Sequence, residues 1–502
     1  MPTMKGCFVL QRRFAYVGHE LIKFLKEDGV ADEFCGYVQL RDSYNFLASQ
    51  TDIKYSALIL DEDIQKKYKR EPLDLEYLAE FEKQYGSVWK YIDIDRVIRH
   101  GQLVREYPFD ASPYTHEDLL RIAQVYIKEI TAFLDTQKPD FVFGYVFGSL
   151  GTLLVHDIAK KRGIPIFTAI VPSTRNMLTV SRSYERLTYV ENTCLGNVST
   201  RKLPKYEEAR AFLEEFRHKP FVYNKMQVSK FGGRSSQFLF MHPRRLLRTL
   251  HFNTLRIFID YWSDRERATD YTTVKPWNYF VDRIKRLARV LRGHSDLYDE
   301  YDTSKRFAFY PLQSEPEASL LLLAPDITDQ VILIERIARA LPAGMLLYVK
   351  EHPSMVPLRP RRYYKRIKAI PNARLMYPSI SSFDLINKAE LITTINGTVG
   401  WEALQLGKPV ITFGSIFYNF FSFVGKGKGA DNLPTLIQKQ LDVKTDDEEL
   451  IRYLAALFED SASLDLMYLW EVETDEEKRR AGFKEFADVL ARKIIAAHAD
   501  AL

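Results

Sequence analysis

Three short stretches of this sequence place groups able to hold a phosphate and a ribose at the ends of apolar runs. Leu347-Tyr348-Val349 leads into Lys350-Glu351-His352-Pro353. Ile392-Thr393-Thr394-Ile395 leads into Asn396-Gly397-Thr398 and the segment Val399 to Leu406, and Gly407-Lys408-Pro409 then opens Val410-Ile411-Thr412-Phe413. In an open parallel sheet such runs are buried strands, and ligands bind in the crevice outside their carboxyl ends. A histidine held by a following proline can donate to a phosphate without searching many conformations, and Lys350 adds positive charge beside it. Asn396-Gly397-Thr398 precedes an apparent helix whose free N–H groups and positive dipole end favour an anion. Gly397 permits close backbone approach there, and Thr398 adds a hydroxyl. Glu402 lies four residues after Thr398, on the same helical face, where a carboxylate can accept both hydroxyls of a ribose. Lys350, His352, Asn396, Gly397, Thr398 and Glu402 would thus hold a nucleotide at both ends. Taken singly each has a blander reading, since strand-end histidines are often satisfied locally and Asn-Gly is a common turn. Their spacing as successive strand and helix units of one doubly wound domain favours the site.

The elements needed to position these groups are legible in the apolar pattern. Short runs at Cys7 to Leu10, Gly36 to Leu40, Tyr55 to Leu60, Pro139 to Tyr145 and Gly163 to Ile170 read as strands. They alternate with helical segments around Leu21 to Leu25, Leu73 to Tyr85, Leu119 to Leu134 and Leu150 to Lys161, which argues for an α/β amino-terminal domain of doubly wound type. From about Lys205 to Ser295 the pattern is mostly helical. A second alternating region begins near Phe307, with strands expected at Ser319 to Leu323, Met345 to Val349, Arg374 to Met376, Leu391 to Ile395 and Val410 to Phe413, and helices again beyond Asp446. The division expected is 1–204 for a Rossmann-like acceptor-side domain, 205–304 for a helical insertion or arm, 305–445 for a nucleotide-binding domain and 446–502 for terminal helices.

At 502 residues, with 46% hydrophobic and 13% aromatic content, the chain can fill at least two cores. Cys7, Cys35 and Cys194 are far apart and form no metal-type pair, so a disulfide framework or zinc site is not expected and a reducing cytoplasm fits best. No apolar run is long enough to span a bilayer. The formal charge of +5 is mild. Its basic residues gather in His242-Pro243-Arg244-Arg245-Leu246-Leu247-Arg248 and in Arg283 to Arg292, where arginines and leucines at helical spacing describe either solvated helix faces or faces turned to anionic lipid. Nucleic acid is not an expected partner, because no aromatic-basic recognition motif accompanies the charge.

The residues Lys350-Glu351-His352-Pro353, Thr394 to Leu404 and Gly407-Lys408-Pro409-Val410, with Tyr310-Pro311-Leu312-Gln313-Ser314-Glu315-Pro316-Glu317-Ala318-Ser319, resemble the carboxyl-terminal half of bacterial capsule and surface-polysaccharide glycosyltransferases of GT-B fold, a group that includes Kdo transferases. The likeness runs over about residues 305 to 420. It implies two Rossmann-like domains facing a cleft, with the terminal helix crossing back to the first. It further implies a nucleotide-sugar donor, CMP-Kdo ahead of a UDP-sugar, and a polysaccharide or lipid-linked glycan acceptor at the inner face of the cytoplasmic membrane. In relatives that use CMP-sugars the His-Pro histidine and a hydroxyl-bearing turn contact the nucleotide, which carries over to His352 and Thr398. This chain has Asn396 and Gly397 where a Ser-Ser or Ser-Thr pair is often seen in CMP-sialic acid enzymes. No cofactor is expected, the nucleotide-sugar being a substrate, and no metal, since fixed positive groups can stabilise the departing phosphate.

For the catalytic base, His19 in Gly18-His19-Glu20 sits where some GT-B enzymes carry one, and Glu185 and Asp157 are carboxylate candidates near the cleft. Arg175, at the end of a strand facing the cleft, can bind an anionic acceptor or a donor carboxylate, or serve the fold. Two other readings stay open: a nucleotide-sugar epimerase of the same fold, and a non-catalytic polysaccharide-assembly protein.

Overall fold

The computed structural model describes residues 4–103, 106–107, 110–196, 202–221, 257–259, 261–356, 358–429 and 432–499. Within them the chain builds two sheets, each covered by helices. The first contains β1 (Lys5–Leu10), β2 (Glu33–Val38), β3 (Ala57–Leu60), β4 (Phe141–Gly144), β5 (Ile166–Ile170) and β6 (Thr179–Ser181) in the order β3-β2-β1-β4-β5-β6. All its pairs are parallel except β5 with β6. The second contains β7 (Phe307–Pro311), β8 (Leu346–Lys350), β9 (Ala373–Met376), β10 (Leu391–Thr394), β11 (Val410–Thr412) and β12 (Gly425–Lys426) in the order β12-β11-β10-β7-β8-β9, with every pair parallel. The expected two doubly wound α/β domains are therefore present. The strand order reverses between β1 and β4 in one sheet and between β7 and β10 in the other, and those two crevices are where such sheets bind ligands.

The central strands are apolar on both sides because helices cover both faces: β4 and β10 are buried at every residue. One strand expectation is corrected. Ser319 to Leu323 lies in the helix Ala318–Leu323, and the strand that opens the second sheet is Phe307–Pro311. A run of leucines fits either element by periodicity alone. Here Leu320 turns into the second domain's core while Leu321 and Leu322 pack against the core of the first, so the run must present different faces to different neighbours.

The chain crosses between its halves twice. Helices Thr188–Leu195 and Tyr206–His218 lie against helix Asp447–Asp460, and their apolar faces share one core with Trp401 and β7. In the other direction the carboxyl-terminal helix Glu476–Ala499 packs on helix Phe14–Glu27, so Phe483, Phe486, Leu490 and Ile494 complete the core of the first sheet. Trp401, fully buried, donates its indole N–H to Thr174 Oγ1 at 2.8 Å and so ties the loop after β5 to the helix after β10. Leaving that N–H unpaired would cost about 1–3 kcal/mol.

The helical stretch after the described gap is anchored at its start. Tyr271 donates to Asp61 at 2.5 Å, Thr272 bonds Glu62, and Asp270 pairs with Arg41 at 3.3 Å and Lys66 at 2.6 Å. The amphipathic helix Pro276–Arg292 follows. His242 to Arg248 lies outside the described residues. No helix among the described residues is long and apolar enough to cross a membrane.

Candidate nucleotide site and the facing cleft

Every sequence-derived donor residue comes together at the carboxyl ends of β8 and β10, on either side of the loop that follows β7. Lys350 ends β8, almost buried, with Nζ donating to Ser382 Oγ at 2.8 Å. Two residues on, the proline turn holds His352 with Nδ1 2.7 Å from Ser354 Oγ and 3.5 Å from Ser314 Oγ, one edge of the ring open to the cleft. The protein packed around the ring, then the charges of Arg359 and Lys350, push the His352 pKa down to about 4. At neutral pH it is a hydrogen-bonding imidazole, not a fixed cation.

After β10 the backbone turns through Asn396 and Gly397 into helix Thr398–Gln405. Asn396 Nδ2 donates to the Ser319 carbonyl at 2.9 Å, and Tyr418 donates to the Gly397 carbonyl at 2.7 Å. Gly400 must be glycine for that tyrosine to pass, because a Cβ there would run into its hydroxyl. The N–H groups of Thr398 and Val399 are the helix's unpaired first-turn donors; among the described residues they have no acceptor. They carry the positive end of the helix dipole toward the β7/β10 crevice.

Glu402 stands one turn along the same face. Burial raises its pKa to about 7, against the opposing pull of Lys350; burial likewise lowers Lys350 to about 8, against the pull of Glu402. The two therefore titrate as a pair over the same range. The site can thus offer one ammonium, one neutral imidazole, one hydroxyl and two backbone amides to a phosphate, and a carboxyl to a diol.

Sequence reasoning missed what holds this arrangement. Arg359, buried after the His-Pro turn, donates to Glu315 and to the Gln313 carbonyl and pairs with Glu351 at 2.9 Å. Tyr363 adds a bond to Glu315 at 3.1 Å, and Glu351 accepts from the His352 amide at 2.6 Å. The one available signal was the pair of acidic residues inside otherwise apolar strand ends, which burial obliges to find cations.

Opposite this site, at the β1/β4 crevice of the first sheet, lies a cavity of about 1180 Å³. Gln11 to Phe14, Gln39 to Ser43, Arg96 and Ser149 line it on one side, and Pro316 to Ala318 close it from the second domain. The loop from Gln313 to Ala318 thus touches the nucleotide groups at one end and the cavity at the other. Stacked pairs Tyr16 with Trp470 and Phe14 with Tyr145 make flat walls.

The catalytic candidates read from the sequence do not meet in this cavity. His19 is 1% exposed, with Nδ1 2.8 Å from Tyr55 Oη and Nε2 3.2 Å from Asp52, and it does not line the cavity. Asp157 lies along helix Leu150–Lys161, paired with Lys90 at 2.5 Å and His156 at 2.7 Å. Burial opposes its charge, but these partners hold it at about 2, too weak a base for the task. Glu185, half-buried after β6, is likewise absent from the cavity lining. Arg175 pairs with Glu208 at 2.6 Å and covers the rings of Phe212 and Phe458, which makes it a strut between the halves. The carboxyls that do line the cavity are Asp42, Glu62, Asp95, Asp270 and Glu317; burial raises Glu62 to about 8, and the protein around Glu317 raises it too. The lining guanidinium groups with no carboxylate partner among the described residues are Arg12 and Arg96.

Comparison with known proteins places part of the chain in a family. Residues 257–435 match the model of the capsule polysaccharide biosynthesis protein family, a segment that contains every donor residue named above and bears out the resemblance drawn from the sequence. Protein FixF of Sinorhizobium fredii is 32% identical over 149 residues, 28% of this chain, and the chain spans only 35% of that relative's length. Among solved structures, the beta Kdo 2,4 transferase KpsC of Thermosulfurimonas dismutans is similar at 16% identity and a TM-score of 0.35, over 64% of this chain and 80% of that one. The UDP-GlcNAc 2-epimerase of Neisseria meningitidis is similar at 13% identity and a TM-score of 0.23, over 91% and 99%.

The Lys350 and Glu402 pair generates a pH dependence with a definite sign. Between pH 7 and 9.5 Glu402 gains a negative charge and Lys350 loses a positive one, and both changes oppose a phosphate. Calorimetric titration with CMP is expected to show affinity falling by about tenfold over that range, and Lys350→Met is expected to remove most of the fall above pH 8. A flat wild-type profile would contradict the assignment of these two residues.

Proposed function

We propose that the protein is a glycosyltransferase that moves a sugar from a nucleotide-sugar to a capsule or other surface-glycan precursor, with CMP-Kdo ahead of a UDP-sugar as donor. The observation that carries this reading is the facing of two switch-point crevices across one loop: a phosphate-and-ribose site on the second sheet, and on the first a separate cavity large enough for an acceptor. An epimerase needs the first and has no use for the second.

The donor phosphate would lie against the Thr398 and Val399 amides, Lys350 and His352, with the ribose hydroxyls on Glu402. As the sugar–phosphate bond breaks, these donors meet the charge that accumulates on the leaving oxygen, so transfer is expected to persist in EDTA. The acceptor would stack on the aromatic walls and present any acidic group to Arg12 and Arg96, which take the role the sequence suggested for Arg175. Glu317, on the connecting loop, replaces His19 as the carboxylate proposed to act at the reacting centre; its raised pKa suits proton transfer.

Peripheral membrane contact belongs to the same proposal, though through a different face of the helix than its arginines suggest. Arg286 pairs with Asp282 at 2.7 Å, and Arg289 and Lys285 pair with Glu106 at 2.7 and 3.4 Å. With Lys285 and Arg292 exposed beside them, Trp277, Phe280, Ile284 and Leu291 are the helix's exposed large apolar side chains, Trp277 at 68%. Their spacing sets them along one stripe of the helix.

The decisive assay incubates the protein with CMP-Kdo or UDP-sugars and a short or lipid-linked glycan acceptor, with and without EDTA, and detects product by mass. Transfer from CMP-Kdo that survives EDTA and is lost by about a hundredfold or more in Glu317→Gln is expected. Transfer from UDP-sugars alone would reject the CMP preference, and a free epimerised nucleotide-sugar would reject transfer. In vesicle sedimentation, Trp277→Ser with Ile284→Ser is expected to reduce binding to anionic vesicles. Undiminished binding, or binding abolished only by Arg286→Gln with Arg289→Gln, would overturn the apolar contact.

A further inference from the structure

Gln313 follows β7, between the strand ends that carry the donor groups, and the account so far leaves its side chain unused. Its backbone is fixed from both sides: its N–H donates to Gln330 Oε1 at 3.0 Å, and its carbonyl accepts from Gln330 Nε2 at 3.1 Å and from Arg359. In the orientation its neighbours dictate, its side-chain oxygen accepts from the Gly397 N–H at 2.7 Å and the Asn396 N–H at 3.1 Å. Its side-chain nitrogen donates to Asn396 Oδ1 at 2.8 Å. The approach is close enough that a Cβ on Gly397 would stand 2.9 Å from that oxygen's position. Asn396 is itself held at the far side, through its bond to the Ser319 carbonyl.

The anion-binding amides of this turn are therefore divided. Those of Asn396 and Gly397 are filled by a neutral group of the protein, while those of Thr398 and Val399 remain free among the described residues. Two adjacent amides, with the Thr398 hydroxyl, His352 and Lys350, suffice for one phosphate; a second phosphate bound along the same turn would need the amides that Gln313 covers.

We propose that Gln313 is a donor-specificity residue: its carboxamide fills the place of a second phosphate, so the site accepts sugars carried on a nucleoside monophosphate in preference to those carried on a diphosphate. This rests on the nucleotide reading of the site and adds to it the protein group that sets phosphate number. Swinging the side chain aside would strip three hydrogen bonds from a turn whose backbone and whose Asn396 are both pinned, which is why the block is built in.

The test is calorimetric binding of CMP and CDP, with UMP and UDP as a second base, to the wild-type chain, to Gln313→Ala and to Gln313→Glu. The wild type is expected to bind the monophosphate at least as tightly as the diphosphate, whereas Gln313→Ala uncovers the Asn396 amide and leaves that of Gly397 only its 3.2 Å bond to Thr394 Oγ1, and is expected to shift the ratio toward the diphosphate by about tenfold. Gln313→Glu keeps an acceptor on the amides, adds a negative charge, and should retain the monophosphate preference while binding all four ligands more weakly. Its ratio decides the matter if the alanine variant fails to fold, for a glutamate variant that favours diphosphates overturns the proposal. So does a wild type that prefers diphosphates by tenfold, or a folded Gln313→Ala with an unchanged ratio. Tight nucleotide binding with unchanged ratios refutes only the role of Gln313; no binding of any nucleotide refutes the site as well.

Discussion

The donor site depends on one buried cation. Arg359 stands between Glu315 and Glu351, all three nearly inaccessible to solvent, and its third contact is the Gln313 carbonyl. Glu315 and Gln313 belong to the loop after β7, and Glu351 precedes His352 after β8. A single guanidinium therefore fixes the relative position of the two loops that border the nucleotide crevice. Its planar fork is suited to serving several acceptors at once, which a lysine could not do. Burying these charges is costly in itself, and removing one partner would leave the others uncompensated at about 3–5 kcal/mol. The network is better understood as setting geometry than as adding net stability.

A second constraint sets the helix that carries Thr398 and Glu402. Trp401, one residue before Glu402, packs into a cluster with Phe417, Tyr418, Phe421 and Tyr453, and its N–H reaches Thr174 of the first domain. The helix that carries the proposed ligand groups is thus held in place by the packing of Trp401. The same Tyr418 bonds Gly397 at the helix start. The phosphate-facing amides are then preorganised by packing, and little ordering remains to be done when a ligand arrives.

Much of this was legible because the residues of the proposed site are local in sequence. Lys350, His352 and the Asn396 to Thr398 turn sit at strand ends, and a continuous apolar run followed by polar or glycine residues marks such ends directly. The supports were not legible. Gln313 approaches Gly397 across the sheet, and Arg359 finds Glu315 only after a turn whose geometry no periodicity encodes. The catalytic candidates failed for the same reason: His19 and Asp157 have suitable chemistry, but whether a side chain on a helix faces the cleft or a neighbouring acid is set by tertiary packing. The leucine run at Leu320 to Leu323 shows the limit of pattern alone, since a segment wedged between two cores satisfies no single face.

The central claim is that the β7/β10 crevice of the second sheet holds the nucleotide through one phosphate. A crystal structure of the protein with CMP bound tests it most directly. The phosphate is expected on the Thr398 and Val399 amides within hydrogen-bond distance of His352, the ribose hydroxyls on Glu402, and the Gln313 carboxamide still on Gly397. A nucleotide found instead in the cavity of the first sheet, or in the second with its ribose away from Glu402 and Gln313 displaced by the phosphate, would contradict it.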